Sequence, residues 1–242
     1  MGEFEYVGVE LDIFREAVNW KNYWASFVYK YMSGEILEVG AGIGENTLLL
    51  CNNAVKRWVC LEPDPKLCKR IHAGIKSSLP AKQCEILTGT LANLEPGQLF
   101  DTIIFIDVLE HIEDDRAEMK MAVGHLKKGG RIIVLSPAHQ WLFTDFDASI
   151  GHYRRYNKKS LTCLTTEVLM LERLYYLDAV GLLASAANRL FLRQSMPTIK
   201  QIKFWDRIMV RCSRIVDPIL FYKAGKSVLG IWRKTNQETV RE

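Results

Sequence analysis

The sequence predicts a single α/β domain, residues 1–242, in which helices cover both faces of a doubly wound, mostly parallel sheet of seven strands. An apolar segment at 36–39 runs directly into a glycine-dense turn that opens a helix. Further apolar, β-branched segments end in polar residues at 62–64, 107 and 136, as expected for buried parallel strands that meet a ligand at their carboxyl ends. With 242 residues and 48% hydrophobic content, the chain is long enough to form one hydrophobic core with an additional insert.

The first strand and its turn, 36–46, indicate a cofactor site. Glycines at 40, 42 and 44 let the backbone adopt positive φ, and the first N–H groups of the following helix, 47–51, point toward the end of the strand. A dinucleotide fingerprint would need glycine at 45, where the chain has Glu45. Glu38 would repel a pyrophosphate and suits a cationic ligand group. A nicotinamide-dependent oxidoreductase is therefore the weaker alternative, and no Tyr-x-x-x-Lys pair follows the fifth strand.

The pattern E-x-G-x-G-x-G of this segment resembles the first motif of the class I S-adenosylmethionine (SAM) dependent methyltransferases. The resemblance spans residues 20–234 and implies a Rossmann-like methyltransferase fold, SAM as the cofactor, and in-line transfer of its methyl group to an acceptor. It assigns the contacts with SAM to Glu38, Gly40, Ala41, Gly42, Gly44, Asn46, Glu62, Pro63, Thr90, Leu91, Asp107, Val108, His111 and Tyr23. A non-catalytic SAM-binding subunit is a second alternative.

The second and third strands supply the ribose and adenine contacts of this assignment. Strand 55–61 ends at Glu62, whose carboxylate can accept hydrogen bonds from both ribose hydroxyls. Asp64, two residues on, is expected to cap the helix that begins near Pro65. After the third strand, at 84–89, the family usually places an acidic residue against the adenine amino group. Here the position is Thr90, so its hydroxyl or the N–H of Leu91 is expected to serve.

The fourth strand, 100–106, ends in the motif D-x-L-E-H-I at 107–112. The resemblance implies that this motif lines the floor between cofactor and acceptor. The [DN]-P-P-[YF] tetrapeptide of enzymes that methylate bases is absent, which argues against a nucleic-acid substrate. No metal is expected, because His111 with Glu110 or Asp107 lacks a third ligand at suitable spacing. A turn at 126–130 and the fifth strand, 131–136, follow.

The loop after the fifth strand is expected to form the acceptor side of the site. Its elements P-A-x-x-x-L (137–142) and G-H-x-R-R-Y (151–156) resemble a bacterial subgroup of small-molecule and glycan methyltransferases, many thought to act on sugars, lipid-linked intermediates or natural products. The first candidate general base is His152, because imidazole exchanges protons near neutral pH. His139 and Tyr153 are the next candidates, and the expected acceptor contacts are Trp141, Arg154 and Arg155.

Each of these residues also has a structural alternative. His152 can instead hydrogen-bond the backbone of its own loop. Arg154 and Arg155 can clamp an acceptor carboxylate or phosphate, or can form salt bridges to Asp145 or Asp147. The next helix is expected at 158–169, with Asn157 as its N-cap.

Two helical segments are expected to cover the site. In the N-terminal cap, 1–35, Tyr23 is expected to close over the sulfonium by a cation–π contact, in preference to Trp20 and Trp24. Packing against the first strand is the alternative for all three. The insert, 179–226, separates the sixth strand, 172–177, from the seventh, 227–233, where a short connection would suffice.

The insert is strongly basic. Its nine Lys and Arg residues against two Asp give it a charge of +7, whereas the rest of the chain sums to −3. Helices are expected at 181–193 and from 202 to just before Pro218, with Arg207, Arg211 and Arg214 on one face. The insert is therefore either a lid over the acceptor or a surface that contacts an anionic partner or membrane.

Composition predicts the compartment. No run of 18 apolar residues occurs, and the N-terminal segment is acidic, unlike a secretion leader. The six cysteines form no C-x-x-C pair and are expected to be reduced thiols. A cytoplasmic protein is predicted, with peripheral membrane contact through 179–226 as an option. These patterns do not specify the acceptor, the methylated atom or the oligomeric state.

Overall fold

The sheet follows the order β3-β2-β1-β4-β5-β7-β6, with β7 antiparallel to both neighbours and the other pairs parallel. The structure is a computed structural model that describes residues 6, 10–52, 55–76, 84–192 and 197–235. The strands are β1 (Glu35–Val39), β2 (Arg57–Glu62), β3 (Cys84–Thr88), β4 (Phe100–Ile106), β5 (Leu126–Pro137), β6 (Leu169–Leu177) and β7 (Ser227–Lys234). The predicted seven-stranded, mostly parallel sheet is confirmed.

Helices flank the sheet and extend from both of its faces. They are α1 (Glu10–Phe14), α2 (Val18–Val28), α3 (Glu45–Leu50), α4 (Pro65–Lys76), α5 (Asp115–Gly124), α6 (Asp145–Ser149), α7 (Lys158–Thr162), α8 (Ala179–Ala187), α9 (Ile199–Phe204) and α10 (Val210–Ile219). Single π-helical turns, Asn188–Leu192 and Trp205–Met209, follow α8 and join α9 to α10. Among the described residues, no helix combines the length and apolar character needed to cross a membrane.

The central strands are buried on both faces because helices cover each side. Adjacent residues of β1 point to opposite cores: Ile36 packs in one cluster with Trp58 and Ile104, and Leu37 packs in the other with Phe105. This two-residue period explains why the strands read as continuous apolar runs in the sequence. The arrangement brings the polar ends of β1, β2, β4 and β5 to one edge.

The insert is attached to the N-terminal helix by two buried carboxylates. Asp217 accepts hydrogen bonds from the Tyr23 hydroxyl (2.7 Å) and from the N–H groups of Asp178 (2.7 Å) and Ala179 (2.9 Å). Asp206 accepts one from the N–H of Trp20 (2.8 Å). The basic insert and the N-terminal cap therefore form a single cover over the sheet edge.

Two predicted helix ends are wrong. Helix α10 runs through Pro218 to Ile219, because a proline in the last turn removes only one N–H and the N–H of Leu220 still bonds to the carbonyl of Val216 (2.9 Å). Helix α7 ends at Thr162 rather than 169, and Leu169 already begins β6. Its predicted N-cap is confirmed, since Asn157 accepts from the N–H of Ser160 (2.8 Å).

Other boundaries also differ. The turn predicted at 126–130 belongs to β5, where Leu126 pairs with Phe100 and an irregular register precedes the pairing of Arg131. The helix predicted at 181–193 begins earlier, at Ala179, and its expected end at Arg193 lies outside the described residues, as do positions 1–5 and 7–9 of the predicted cap.

Candidate active site

A cavity of about 800 Å³ lies at the carboxyl ends of β1, β4 and β5, beneath α2 and the insert. Its wall contains the glycine turn on one side and the loop after β5 on the other. The wall includes Gly40, Ala41, Gly42, Asn46, Trp20, Trp24, Asp107, Glu110, His111, Asp147, His152, Arg155, Trp205 and Lys226. The predicted cofactor turn and the predicted acceptor loop therefore share one cavity.

The glycine turn has the conformation that its sequence predicts. Gly40 and Gly42 adopt φ values of 66° and 59°, a region that is strained for other residues. A Cβ on Gly40 would lie 2.7 Å from a methyl group of Val108, so position 40 has no room for a larger side chain. Gly44 (φ 82°) caps α3, which begins at Glu45, two residues before the predicted start, and Gly44 itself lies behind the cavity wall.

Glu38 does not face the cavity, contrary to the contact predicted for it with a cationic ligand group. It is buried on the side of β1 that also carries Ile36, where it accepts hydrogen bonds from the Thr47 hydroxyl and from the Trp58 indole N–H (2.9 Å). Burial raises the pKa of Glu38 to about 7. Its role in the structure is to join β1, α3 and β2 behind the turn.

Glu62 lies at the end of β2, as predicted for a ribose ligand, and is buried. One carboxylate oxygen accepts from the N–H of Gly42 (2.8 Å) and the other from the N–H of Asp64 (3.0 Å). Each oxygen keeps a further lone pair for a ligand hydroxyl. Asp64 has the predicted capping role, since it accepts from the N–H of Lys66 (2.7 Å) at the start of α4.

The residues assigned to adenine and ribose flank Glu62. Thr90 is exposed, and its N–H and hydroxyl bond to the Asn93 side chain (2.8 and 3.2 Å), which caps a short 3₁₀ turn. Leu91 is buried, and Pro63 is half-buried. Like Glu62 itself, none of these three lies in the wall of the cavity. The Thr90 hydroxyl is therefore already committed to a local bond.

Asp107, the residue that ends β4, has a strained backbone with φ of 55°. Its N–H bonds to the carbonyl of Leu135 on β5 (2.8 Å), which fixes this conformation at the sheet edge. Its side chain opens into the cavity. Desolvation by the surrounding protein raises the pKa of Asp107 to about 6. The strain places a carboxyl group between the cofactor turn and the acceptor loop.

Glu110 and His111 are the next polar groups of the floor. Glu110 is fully buried, and its Oε2 accepts from the Ser136 hydroxyl (3.0 Å). Burial raises the pKa of Glu110 well above its usual value and lowers the pKa of His111 to about 4. The His111 ring meets the His152 ring edge to face, with 4.4 Å between centroids.

His152 is oriented by a buried carboxylate. Its Nδ1 lies 3.0 Å from Asp147 Oδ1, and Arg155 bonds to both oxygens of Asp147 at 2.8 Å. Burial opposes ionisation of Asp147, but the hydrogen bonds from His152 and Arg155 outweigh it and hold the pKa of Asp147 well below its usual value. Because ionised Asp147 can only accept, Nδ1 of His152 carries the proton and Nε2 is left for other chemistry.

Several acceptor-side candidates lie away from the cavity. His139 bonds through Nε2 to the carbonyl of Gly225 (3.0 Å), and Trp141 and Tyr153 are half-exposed on the outer surface. Arg154 pairs with Asp115 (2.7 Å). His139 and Arg154 hold the loop and Trp141 and Tyr153 lie outside the cavity, so the predicted roles of all four toward the acceptor have no support in the geometry. The predicted alternative, a salt bridge to Asp147, holds for Arg155.

The predicted contact between Tyr23 and the sulfonium is wrong in geometry. Tyr23 faces Asp217 of the insert, whereas its neighbours Trp20 and Trp24 line the cavity. Sequence reasoning missed Lys226, which lies in the wall with its ammonium 3.8 Å from the centroid of the Trp205 ring. Burial lowers the pKa of Lys226. A lysine just before a strand carries no pattern that would have distinguished it from the other basic residues of the insert.

This geometry defines the carboxyl-end ligand site of a class I methyltransferase fold. Residues 37–132 match the model of a methyltransferase domain. This segment is thus similar to a methyltransferase domain, and the fold is the one found in SAM-dependent methyltransferases; together they imply SAM as the cofactor.

Three known proteins that resemble the chain do so at low sequence identity. A tRNA U34 carboxymethyltransferase from Alteromonas mediterranea is 25% identical over 142 residues, covering 55% of this chain and 41% of the relative. The N-methyltransferase NodS from Bradyrhizobium japonicum superposes with a TM-score of 0.57 at 15% identity, over 94% of this chain and 100% of that chain. An S-adenosylmethionine-dependent methyltransferase from Clostridium acetobutylicum gives 0.59 at 12% identity, over 91% and 92%.

Proposed function

We propose that the protein transfers the methyl group of SAM to a hydroxyl or amine of a small-molecule, sugar or lipid-linked acceptor. The observation that carries the proposal is the single cavity that joins Gly40 and Gly42 to the Asp147–His152 pair. A donor in the turn and an acceptor beside His152 would share this cavity.

The residues of the turn fit SAM. Gly40 and Gly42 leave a cradle that a Cβ would fill or strain, and Glu62 keeps lone pairs for ribose hydroxyls. Trp20 and Trp24 border the same cavity and would lie near the cationic part of the cofactor. When bound, SAM supplies a methyl group activated by its sulfonium.

The chain itself supplies positioning and proton removal. Asp147 fixes the His152 ring, so Nε2 can accept the proton that an acceptor hydroxyl or amine loses as the methyl is transferred. The cover formed by α2 and the insert lies over the cavity and would limit the access of water, which favours transfer over hydrolysis. Lys226 on the Trp205 ring would attract an anionic group of the acceptor into the cavity.

The outer surface of the insert supports a lipid-linked acceptor. Apolar side chains at Ile208, Ile215, Ile219 and Phe221 are more than half exposed, beside the exposed Arg207, Arg211 and Arg214. This combination is typical of segments that lie on anionic membranes. A lid that serves an acceptor in solution is the competing role, and a liposome experiment separates the two.

A second candidate function is modification of an RNA base. The 25% identity to a tRNA U34 carboxymethyltransferase favours it, as do the exposed arginines of α10. The missing base-methylation tetrapeptide favours the small acceptor instead.

The test is a binding and turnover experiment. Calorimetry should give one SAM site per chain, and release of S-adenosylhomocysteine should be screened against sugars, lipid-phosphate sugars, phenols and unmodified tRNA. Turnover with a small acceptor supports the proposal. Turnover with tRNA alone would replace it by the second candidate, and absence of SAM binding would overturn both.

A further inference from the structure

Three side chains that commonly bind metals meet in the wall of the cavity. Glu110, His111 and His152 each offer one ligand atom, and these atoms lie within 4.8 Å of one another. The sequence expectation that Glu110 and His111 lack a third ligand therefore does not hold. His152 is distant in sequence, but the loop after β5 returns it to the end of β4.

Glu110 has a free coordination position. The residue is fully buried, and its Oε2 is used by the Ser136 hydroxyl (3.0 Å). Among the described residues, Oε1 has no hydrogen-bond partner. A buried carboxylate oxygen without a partner costs free energy, and a cation would satisfy it.

His152 is held in the way that metal-binding histidines usually are. Its Nδ1–H donates to Asp147 (3.0 Å), a carboxylate that is itself fixed by Arg155 and by the N–H of Thr144 (2.8 Å). Such an outer carboxylate sets the tautomer and leaves Nε2 as the ligand atom. The outer partners of a metal site, Ser136 for Glu110 and Asp147 for His152, are thus already in place.

We propose that Glu110, His111 and His152 bind a divalent transition-metal ion. One carboxylate and two imidazoles match the protein ligands of open zinc sites, so Zn²⁺ is the best candidate. Ligand atoms about 2.1 Å from a tetrahedral ion lie about 3.4 Å apart, so the three atoms need to approach by no more than about 1.4 Å. The fourth position would be open to an oxygen of a bound acceptor.

The metal site and the base role use the same Nε2 of His152. While an ion is bound, His152 cannot accept a proton, and the ion would instead increase the acidity of an acceptor hydroxyl bound to it. The site itself does not depend on the proposed function, since metal binding is measured without SAM or acceptor.

The experiment uses the full chain after dialysis against a chelator. Zn²⁺ is titrated by calorimetry, and Co²⁺ is titrated by its visible absorption. We expect one ion per chain and a weakening of tenfold or more in Glu110→Gln and in His111→Gln. The matched controls Glu113→Gln and His125→Gln lie outside the cluster and should bind as wild type.

Absence of saturable one-to-one binding to the wild type would overturn the proposal, as would wild-type affinity in both cluster variants. If the variants unfold, X-ray absorption of the zinc-loaded wild type decides. Imidazole and oxygen ligands support the site, whereas sulfur ligands would place the ion on cysteines and overturn it. A SAM titration in the same calorimeter is independent, so loss of metal binding with intact SAM binding leaves the proposed function standing.

Discussion

Asp147 holds His152 through a 3.0 Å hydrogen bond to Nδ1, and it can do so because Arg155 neutralises the same carboxylate. The three residues lie within nine positions of one another, on α6 and the loop that follows. This short-range arrangement orients an imidazole in the wall of a cavity whose other side is formed by the end of β4 and the glycine turn. The hydrogen bond from His152 to Asp147 therefore fixes the orientation of an imidazole whose role the sequence left open.

The first prediction concerns this oriented imidazole. Replacing His152 by Gln should lower kcat by about 100-fold or more while leaving the Kd for SAM unchanged, because Gln cannot accept the proton. Turnover and calorimetry on one preparation measure both. His139→Gln is the control, since His139 bonds to Gly225 outside the cavity and should keep kcat near wild type. A His152→Gln enzyme that melts early but turns over normally would mean that the histidine only holds its loop.

The second prediction concerns the glycine turn and the acid beside it. Gly42→Val forces a branched side chain into φ of 59°, and Glu62→Ala removes the acceptor of the Gly42 N–H. Each should weaken SAM binding by tenfold or more, about 1.4 kcal/mol. Glu85→Ala, on the exposed side of β3, is the matched control. Wild-type SAM affinity in both folded variants would contradict the placement of the cofactor.

The sequence predicted the sheet well because its determinants are local. Continuous apolar runs mark strands buried on both faces, and a glycine turn after the first strand can lie only at its carboxyl end. It also predicted that Asp107, His111 and His152 share a site, because residues at the carboxyl ends of parallel strands gather at one edge.

The errors concern the directions of side chains, which a linear sequence pattern does not specify. Glu38 and Tyr23 were placed in the right elements, but the pleat of β1 and the rotation of α2 turn both side chains away from the cavity. Pro218 did not end its helix, because the last turn tolerates a missing N–H. Lys226 was missed because only tertiary packing separates it from the other lysines of the insert.

The third prediction is a pH dependence of stability caused by Glu38. Its folded-state pKa of about 7 lies above the ordinary value of 4.5, so between these pH values the folded protein holds a proton that the unfolded chain has lost. The stabilising contribution is full below about pH 4.5 and is lost as the pH rises through about 7, by roughly 3 kcal/mol in total.

Denaturant unfolding of the wild type and of Glu38→Gln between pH 4.5 and 8 measures this effect. Gln keeps an acceptor for the Thr47 hydroxyl and the Trp58 N–H and carries no proton to lose. The fall in unfolding free energy with rising pH should therefore be smaller in Glu38→Gln, and unchanged in the exposed control Glu95→Gln. Equal slopes in all three proteins would show that Glu38 titrates normally.

The fourth prediction concerns the attachment of the insert. Asp217→Ala leaves three buried donors without an acceptor, those of Tyr23, Asp178 and Ala179, and should cost about 3 kcal/mol or more of unfolding free energy. Tyr23→Phe removes one bond and should cost only about 1 kcal/mol. Asp217→Asn, which keeps an acceptor oxygen, should fall between them. Similar values for all three would mean that the carboxylate contributes no more than packing.

The last prediction separates a lid from a membrane surface. If the exposed apolar and basic face of α10 docks on anionic lipid, sedimentation with liposomes should increase with anionic lipid content and decrease with salt, since each surface Arg contributes about 1 kcal/mol. Changing Arg207, Arg211 and Arg214 together to Glu should abolish it. The same charge change at Lys69, Arg116 and Lys120, which are exposed outside the insert, should weaken it only slightly, because those residues lack the apolar neighbours that fix the docking face. A lid for an acceptor in solution predicts no sedimentation at any composition and full activity of the triple arginine variant, and that pair of results would remove the membrane role.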